Sequence, residues 1–205
     1  MEITLYYMPG SRSERVRWTL DELGLDYRLE WLDLFKGEGQ TPEYRAIHPM
    51  GQLPALKVGD EVMIESGAIV QWLAETVPDS RLAPARDAPE RKKFLQWMYF
   101  AVTSLEGPAW EMMAHSKILP PDQAVPEILD HAERQFQRAL EVLEQELDAK
   151  PYLLGDDFSA ADILTGYLLG WFPQQLEHRP ALSAYHRRLG ERPAYPHQPP
   201  PRNNG

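Results

Sequence analysis

An α/β domain followed by an all-α domain is the fold class that this sequence predicts, on three observations. Over roughly the first eighty residues the apolar positions switch between a period of two and a period of 3.6. A stretch rich in proline and small polar residues, "VPDSRLAPARDAP" (77–89), then breaks the pattern. Beyond it every periodic segment is helical. The boundaries expected are 1–78 for the first domain, 79–87 for the linker, 88–195 for the helical domain and 196–205 for a proline-rich tail, "PHQPPPRNNG".

Each element follows in order. Ile3, Leu5 and Tyr7 alternate as in a strand, which stops at Pro9-Gly10. Val16, Leu20 and Leu23 then fall at helical spacing, with Gly24 as a stop. Tyr27, Leu29 and Trp31 alternate again. Thr41 and Pro42 read as the cap and first position of a short helix. "PALKVGDEVMIE" (54–65) reads as two strands joined by Gly59-Asp60, and Ser66 opens a helix carrying Ile69, Val70 and Leu73. In the second half, residues 90–106 predict one helix that Gly107-Pro108 should kink or interrupt. Leu129, Ala132, Phe136, Leu140, Leu143 and Leu147 form a long helical stripe. "SAADILTGYLLGW" (159–171) reads as a buried helix, and 180–195 as a last amphipathic one.

Composition narrows the function classes. A net charge of −10 argues against a nucleic-acid surface. No apolar run is long enough to span a bilayer, and "MEITLYY" lacks the features of a signal peptide, so a cytoplasmic protein is expected. With no cysteine in the chain, disulfides, thiolate metal sites and a protein-borne redox thiol are excluded. The six histidines show no metal-binding spacing.

Strand, helix, strand, hairpin and helix is the order of a thioredoxin-like domain. Thioredoxins work through Cys-x-x-Cys at the start of the first helix, and here that place holds "GSRS", so any thiol must come from the ligand. Three segments fit a thiol-bearing anionic ligand. In "GQLPAL" (51–56), Pro54 enters a strand directly. It is either a cis proline that turns the backbone of Leu53 outward or an ordinary trans proline on an edge strand. In "IESGA" (64–68), Ser66 stands where a strand feeds a helix, a place for a carboxylate, with Glu65 beside it for an ammonium; the alternative is a plain helix cap. "Ser11-Arg-Ser-Glu14" matches a capping box, yet a capping hydroxyl keeps a proton to donate to a thiolate.

Taken together, "YYMPGS", "HPMGQLPAL", "ESGAI", the proline-bearing linker and the helical second half with "YLLGDDFSAADI" resemble the cytosolic glutathione transferases, in particular the bacterial, serine-using branches. The resemblance spans nearly the whole chain. It implies a glutathione transferase fold, with Ser159 and Asp162 capping a core helix. It implies that Pro54 is cis and that Leu53 pairs with the cysteinyl part of glutathione. Glu65 and Ser66 would hold the γ-glutamyl end, and Gln52, Gln40 and Lys36 would face the glycine carboxylate. The hydroxyl that activates the thiol would be Ser11, with Ser13 and Tyr7 as the other candidates.

The function implied is attack of the glutathione thiolate on small hydrophobic electrophiles, a detoxification chemistry needing no metal. Disulfide or peroxide reduction, dehalogenation and isomerisation on the same site are alternatives, as is a non-catalytic binding or scaffold role. Aromatic and methionine side chains after the linker suit an adaptable apolar pocket, with Tyr99, Trp110 and Met113 as candidates. The resemblance also implies a homodimer.

Overall fold

The computed structural model describes residues 2–77 and 80–201. Met1, Pro78 at the end of the first expected domain, Asp79 at the start of the expected linker, and tail residues 202–205 lie outside the described residues. The chain divides into two compact units, Met1–Ser80 with Arg192–Gly205, and Arg81–Glu191.

The first unit is a four-stranded sheet with helices. β1 (Ile3–Tyr7) is followed by α1 (Ser13–Glu22), β2 (Arg28–Trp31), α2 (Pro42–Arg45), β3 (Ala55–Val58), β4 (Glu61–Ile64) and α3 (Ser66–Thr76). The sheet order is β2-β1-β3-β4. β1 and β2 are parallel because α1 forms the crossover between them, whereas the Gly59-Asp60 turn folds β3 and β4 into an antiparallel hairpin. Gly59 takes a φ of 59°, which a side chain would resist. Leu5, Leu56, Val16, Leu20, Ile69, Val70 and Leu73 are fully buried. Each contributes about 1.5–3 kcal/mol by leaving water, so this core fixes where the strand ends lie. Thr41 caps α2 as expected, its Oγ1 accepting the Tyr44 N–H at 3.3 Å.

The second unit is helical. α4 (Arg91–Phe100) runs through a π-helical segment, Ala101–Leu105, into α5 (Glu106–Met113) and a second π segment, Ala114–Ile118. The interruption expected at Gly107-Pro108 does not occur. Proline removes one i→i−4 hydrogen bond and crowds the preceding turn, and the wide π turn directly ahead of Pro108 accommodates both effects within a continuous helix. α6 (Leu129–Glu146), α7 (Ala160–Leu169) and α8 (Pro180–Gly190) complete the unit. α7 is buried on all sides except at Tyr167. Asp162 and Ser159 close a reciprocal capping box at its start.

α8 stops short of residue 195, because Pro193 cannot donate to a helix and biases Arg192 away from helical backbone. The stretch that follows was expected to stay helical to residue 195 and to trail off as a tail from 196. Its described part instead returns to α1. Arg192 grips Glu22 through Nε and Nη2 at 2.6 and 2.7 Å, Tyr195 packs edge-on against Trp18 at 4.8 Å, and the Gln198 carbonyl accepts from Arg17 at 3.3 Å.

Candidate active site

The sheet register gathers the candidate residues of the first unit at one edge. Tyr7 pairs with Trp31, Tyr6 with Ala55, and Ala55 with Ile64. The C-terminal ends of β1, β2 and β4 and the N-terminal end of β3 therefore share that edge. From it emerge the Ser11 turn, the 34–40 turns, Gln52-Leu53-Pro54 and Glu65-Ser66.

At the start of α1, two hydroxyls meet. Ser11 Oγ lies 2.6 Å from Ser13 Oγ and 2.8 Å from the Met8 carbonyl, and it accepts the Ser13 N–H at 3.2 Å. Ser13 Oγ lies 3.1 Å from the same carbonyl and accepts the Met8 N–H at 3.2 Å. Ser13 is buried, whereas Ser11 is partly exposed. The capping box expected between Ser11 and Glu14 is not formed as such. Ser11 caps Ser13 instead, and the Glu14 carboxylate turns inward to accept from the Tyr7 hydroxyl at 2.6 Å and Arg17 Nε at 2.7 Å. Tyr7 is fully buried. Its proton goes to Glu14, which argues against Tyr7 as the thiol-activating group: a phenol that donates to a carboxylate in the core has no second proton for a ligand.

At the start of α3, Glu65 takes a φ of 72°, a left-handed backbone unusual outside glycine, and occupies the cap position. Ser66 is thus the first helical residue and not the cap. Its hydroxyl oxygen accepts from Arg15 Nη1 at 3.1 Å, tying α3 to α1. Ser66 is buried and Glu65 exposed. Burial lowers the pKa of His48 below the ordinary histidine range, although the Glu65 charge works in the other direction. The Leu53–Pro54 bond is cis, and the β3 ladder begins only at Ala55, beyond the Leu53 backbone.

Gly39 and Gly51 pack so closely that a side chain at either would collide with the other's carbonyl oxygen. This contact sets Gln40 beside the segment that carries Gln52. Gln40 and Gln52 are both exposed. The Gln40 amide oxygen accepts from Arg45 at 2.8 Å, which brings a cation to this end of the edge. Lys36 is highly exposed and pairs with Asp33 at 3.2 Å. Tyr44, buried under the segment, donates to the Gln52 carbonyl at 2.6 Å and so fixes the backbone just before Leu53.

In the helical unit, Tyr99 and Trp110 are exposed and Met113 is half-buried, whereas Trp97, Met98 and Met112 belong to the core.

Two family models match the chain, glutathione S-transferase N-terminal domain over residues 5–81 and glutathione S-transferase C-terminal domain over residues 126–188. The chain is 33% identical to the disulfide-bond oxidoreductase YfcG of Escherichia coli K12 over 94% of its own length and 92% of that protein's. The chain belongs to the glutathione S-transferase family. The glutathione S-transferase GstA of Escherichia coli O157:H7 is 30% identical, with 92% and 93% of the two chains covered. Among solved structures, the glutathione transferase URE2P6 of Phanerochaete chrysosporium, in complex with oxidized glutathione, superposes with a TM-score of 0.84 at 30% identity, covering 95% of this chain and 93% of that one.

In this glutathione S-transferase, sequence reasoning passed over the residues that support the edge from behind: Arg15, Tyr44 and Arg45, together with the Glu14–Arg17 pair. Apart from Glu14, none stands in a recognisable motif. Glu14 alone carried a signal, and that signal pointed to a capping role.

Proposed function

We propose that the protein binds glutathione along this sheet edge and activates its thiol for attack on small apolar electrophiles, with Ser11 donating to the thiolate. The observation that carries the reading is the paired hydroxyl turn at the start of α1. Ser13 can satisfy the Met8 carbonyl, so the proton of the more exposed Ser11 can turn to a ligand without stranding a buried acceptor. The helix N-terminus favours the thiolate further. Ser66 and Glu65 take the γ-glutamyl end, the Leu53 backbone takes the cysteinyl part, and Gln52, Gln40 and Lys36, with Arg45 added, take the glycine carboxylate. Tyr99, Trp110 and Met113 are the candidates for contact with the electrophile, and the exposed aromatics also suit a homodimer. A cytoplasmic detoxification role accompanies this reading. The chemistry needs no metal, since it consists of lowering the thiol pKa and holding the thiolate beside its target.

The likeness to a disulfide-bond oxidoreductase favours a second reading on the same site, in which the glutathione thiolate attacks a disulfide sulfur and expels the other sulfur as a thiolate. The absence of cysteine means that both sulfurs would come from ligands. Retention on immobilised glutathione, followed by turnover assays with a generic aryl halide and with a glutathionyl disulfide, tests and separates the readings. Retention without turnover of either would leave a binding protein.

A further inference from the structure

We propose that Glu14 and Arg17 form a compensated charge pair at the start of α1, and that Arg17 keeps the Glu14 carboxylate from opposing a thiolate bound there. The inference rests on the thiolate reading of the Ser11 turn.

Glu14 lies in the first turn of α1, and its N–H donates to the Ser11 carbonyl at 3.1 Å. A carboxylate here gains from the helix dipole, but it also repels any second anion at the same end. It is buried, so solvent screens it weakly. Arg17 answers it at 2.7 Å and is itself buried. Arg17 is held from three stretches of chain. Its Nη1 lies 3.5 Å from Asp21 on α1, its Nη2 donates to Gln198 in the returning C-terminal segment, and its guanidinium lies 6.0 Å from the Tyr7 ring centroid on β1.

The other ionisable groups nearby have partners of their own. Tyr27, just before β2, donates to Asp21 at 2.7 Å, and Arg192 holds Glu22. Arg15 donates to Ser66. Glu75, the only ionisable side chain of α3, accepts from Gln71. The Tyr7 hydroxyl donates to Glu14 and adds no charge. Glu14 and Arg17 are thus an opposed pair close to the hydroxyl turn along α1, beside two further cations, Arg12 between the two serines and the buried Arg15, that substitution of either member of the pair leaves in place, and Arg17 acts as a positioning residue for potential rather than as a contact to ligand.

The test is ultraviolet titration of the bound thiol in glutathione-saturated wild type, Arg17→Gln, Glu14→Gln and the double variant, with melting curves to confirm folding. A single charge about 10 Å away at an effective dielectric of about 20–40 shifts a pKa by roughly half a unit to one unit. Arg17→Gln should raise the thiol pKa by that amount, Glu14→Gln should lower it by a similar amount, and the double variant should return close to wild type. Structural damage alone would push both single variants the same way. Shifts of the same sign, or none in either single variant, overturn the proposal while leaving the thiolate reading intact. If Arg17→Gln does not fold, a Glu14→Gln variant without a lowered pKa overturns it. A wild type that binds glutathione with an unperturbed thiol overturns the thiolate reading, and the proposal falls with it.

Discussion

Ser11 Oγ and Ser13 Oγ stand 2.6 Å apart and face one acceptor, the Met8 carbonyl. Either hydroxyl can serve the carbonyl, and the 2.6 Å contact lets one donate to the other. The buried serine is suited to hold the carbonyl and the partly exposed serine to serve a ligand, which gives the two hydroxyls unequal roles.

Ser11→Ala removes a hydrogen bond to a charged group, worth about 1.5–3 kcal/mol, or roughly one to two units of thiol pKa. Activity near neutral pH should fall about ten- to a hundredfold and recover in part as the pH rises. Ser13→Ala should shift the pKa less. Thiolate absorbance against pH in both variants and in Tyr7→Phe decides the matter, and a larger shift in either of the other two would show that Ser11 is the wrong hydroxyl.

Ser66→Ala should weaken glutathione binding and also cost stability. Because Glu65 occupies the cap position, the folding cost is the lost bond from the buried Arg15 guanidinium, a bond to a charged group worth about 1.5–3 kcal/mol. Loss of a bond to a charged carboxylate costs about 1.5–3 kcal/mol of binding, roughly a tenfold to 150-fold weaker affinity. Calorimetric titration of the folded variant should show it; an unchanged affinity removes Ser66 from the site.

Tyr44→Phe keeps the buried ring and deletes only the donor to Gln52. The segment ahead of Leu53 should loosen, with a stability loss of about 1 kcal/mol and faster amide exchange at residues 51–54. Equal exchange in variant and wild type would mean that the bond does not hold the segment.

Asp162 is fully buried and accepts from the Leu153 and Ser159 N–H groups and from the hydroxyls of Ser159 and Tyr185, at 2.8–2.9 Å. Asp162→Ala strands all of these donors and should cost about 3–5 kcal/mol, whereas Asp162→Asn, which retains an acceptor, should cost less. Denaturant melts with a loss below about 1 kcal/mol for the alanine variant would contradict this.

Burial lowers the pKa of His186. The unfolded chain therefore takes up this proton at a higher pH than the folded one, so the contribution of His186 to stability is present above the ordinary histidine pKa of about 6.5 and is lost as pH falls through the lowered folded value. Wild type should lose more stability than His186→Gln across that window. Parallel losses in denaturant melts at each pH would refute it.

Much of this architecture is legible in the residues themselves. Period-two runs around Leu5 and Leu56 and the Gly59-Asp60 turn mark the sheet because burial and turn geometry are local in sequence. Pro54 and Ser66 stand out because a proline entering a strand and a serine between strand and helix are locally odd. Tyr44, Arg15 and Arg45 are not legible, since their partners at Gln52, Ser66 and Gln40 are fixed by tertiary packing. The Ser11-Glu14 motif misleads for a related reason. A buried arginine and a tyrosine hydroxyl outcompete the backbone N–H for the carboxylate, and no local rule foresees that. The π turn ahead of Pro108 is likewise a compromise of the folded chain.

The returning C-terminal segment has a consequence for biosynthesis. Glu22 and Arg192 are separated by 170 positions. A nascent chain that has already formed its sheet still lacks the clamp on α1, and the groups of Glu22, Trp18 and Arg17 that the clamp engages stay solvated until the rest of the polypeptide has been made. The first unit is begun earliest and finished last, so its completion is tied to translation of the whole helical insert rather than to its own first eighty or so codons.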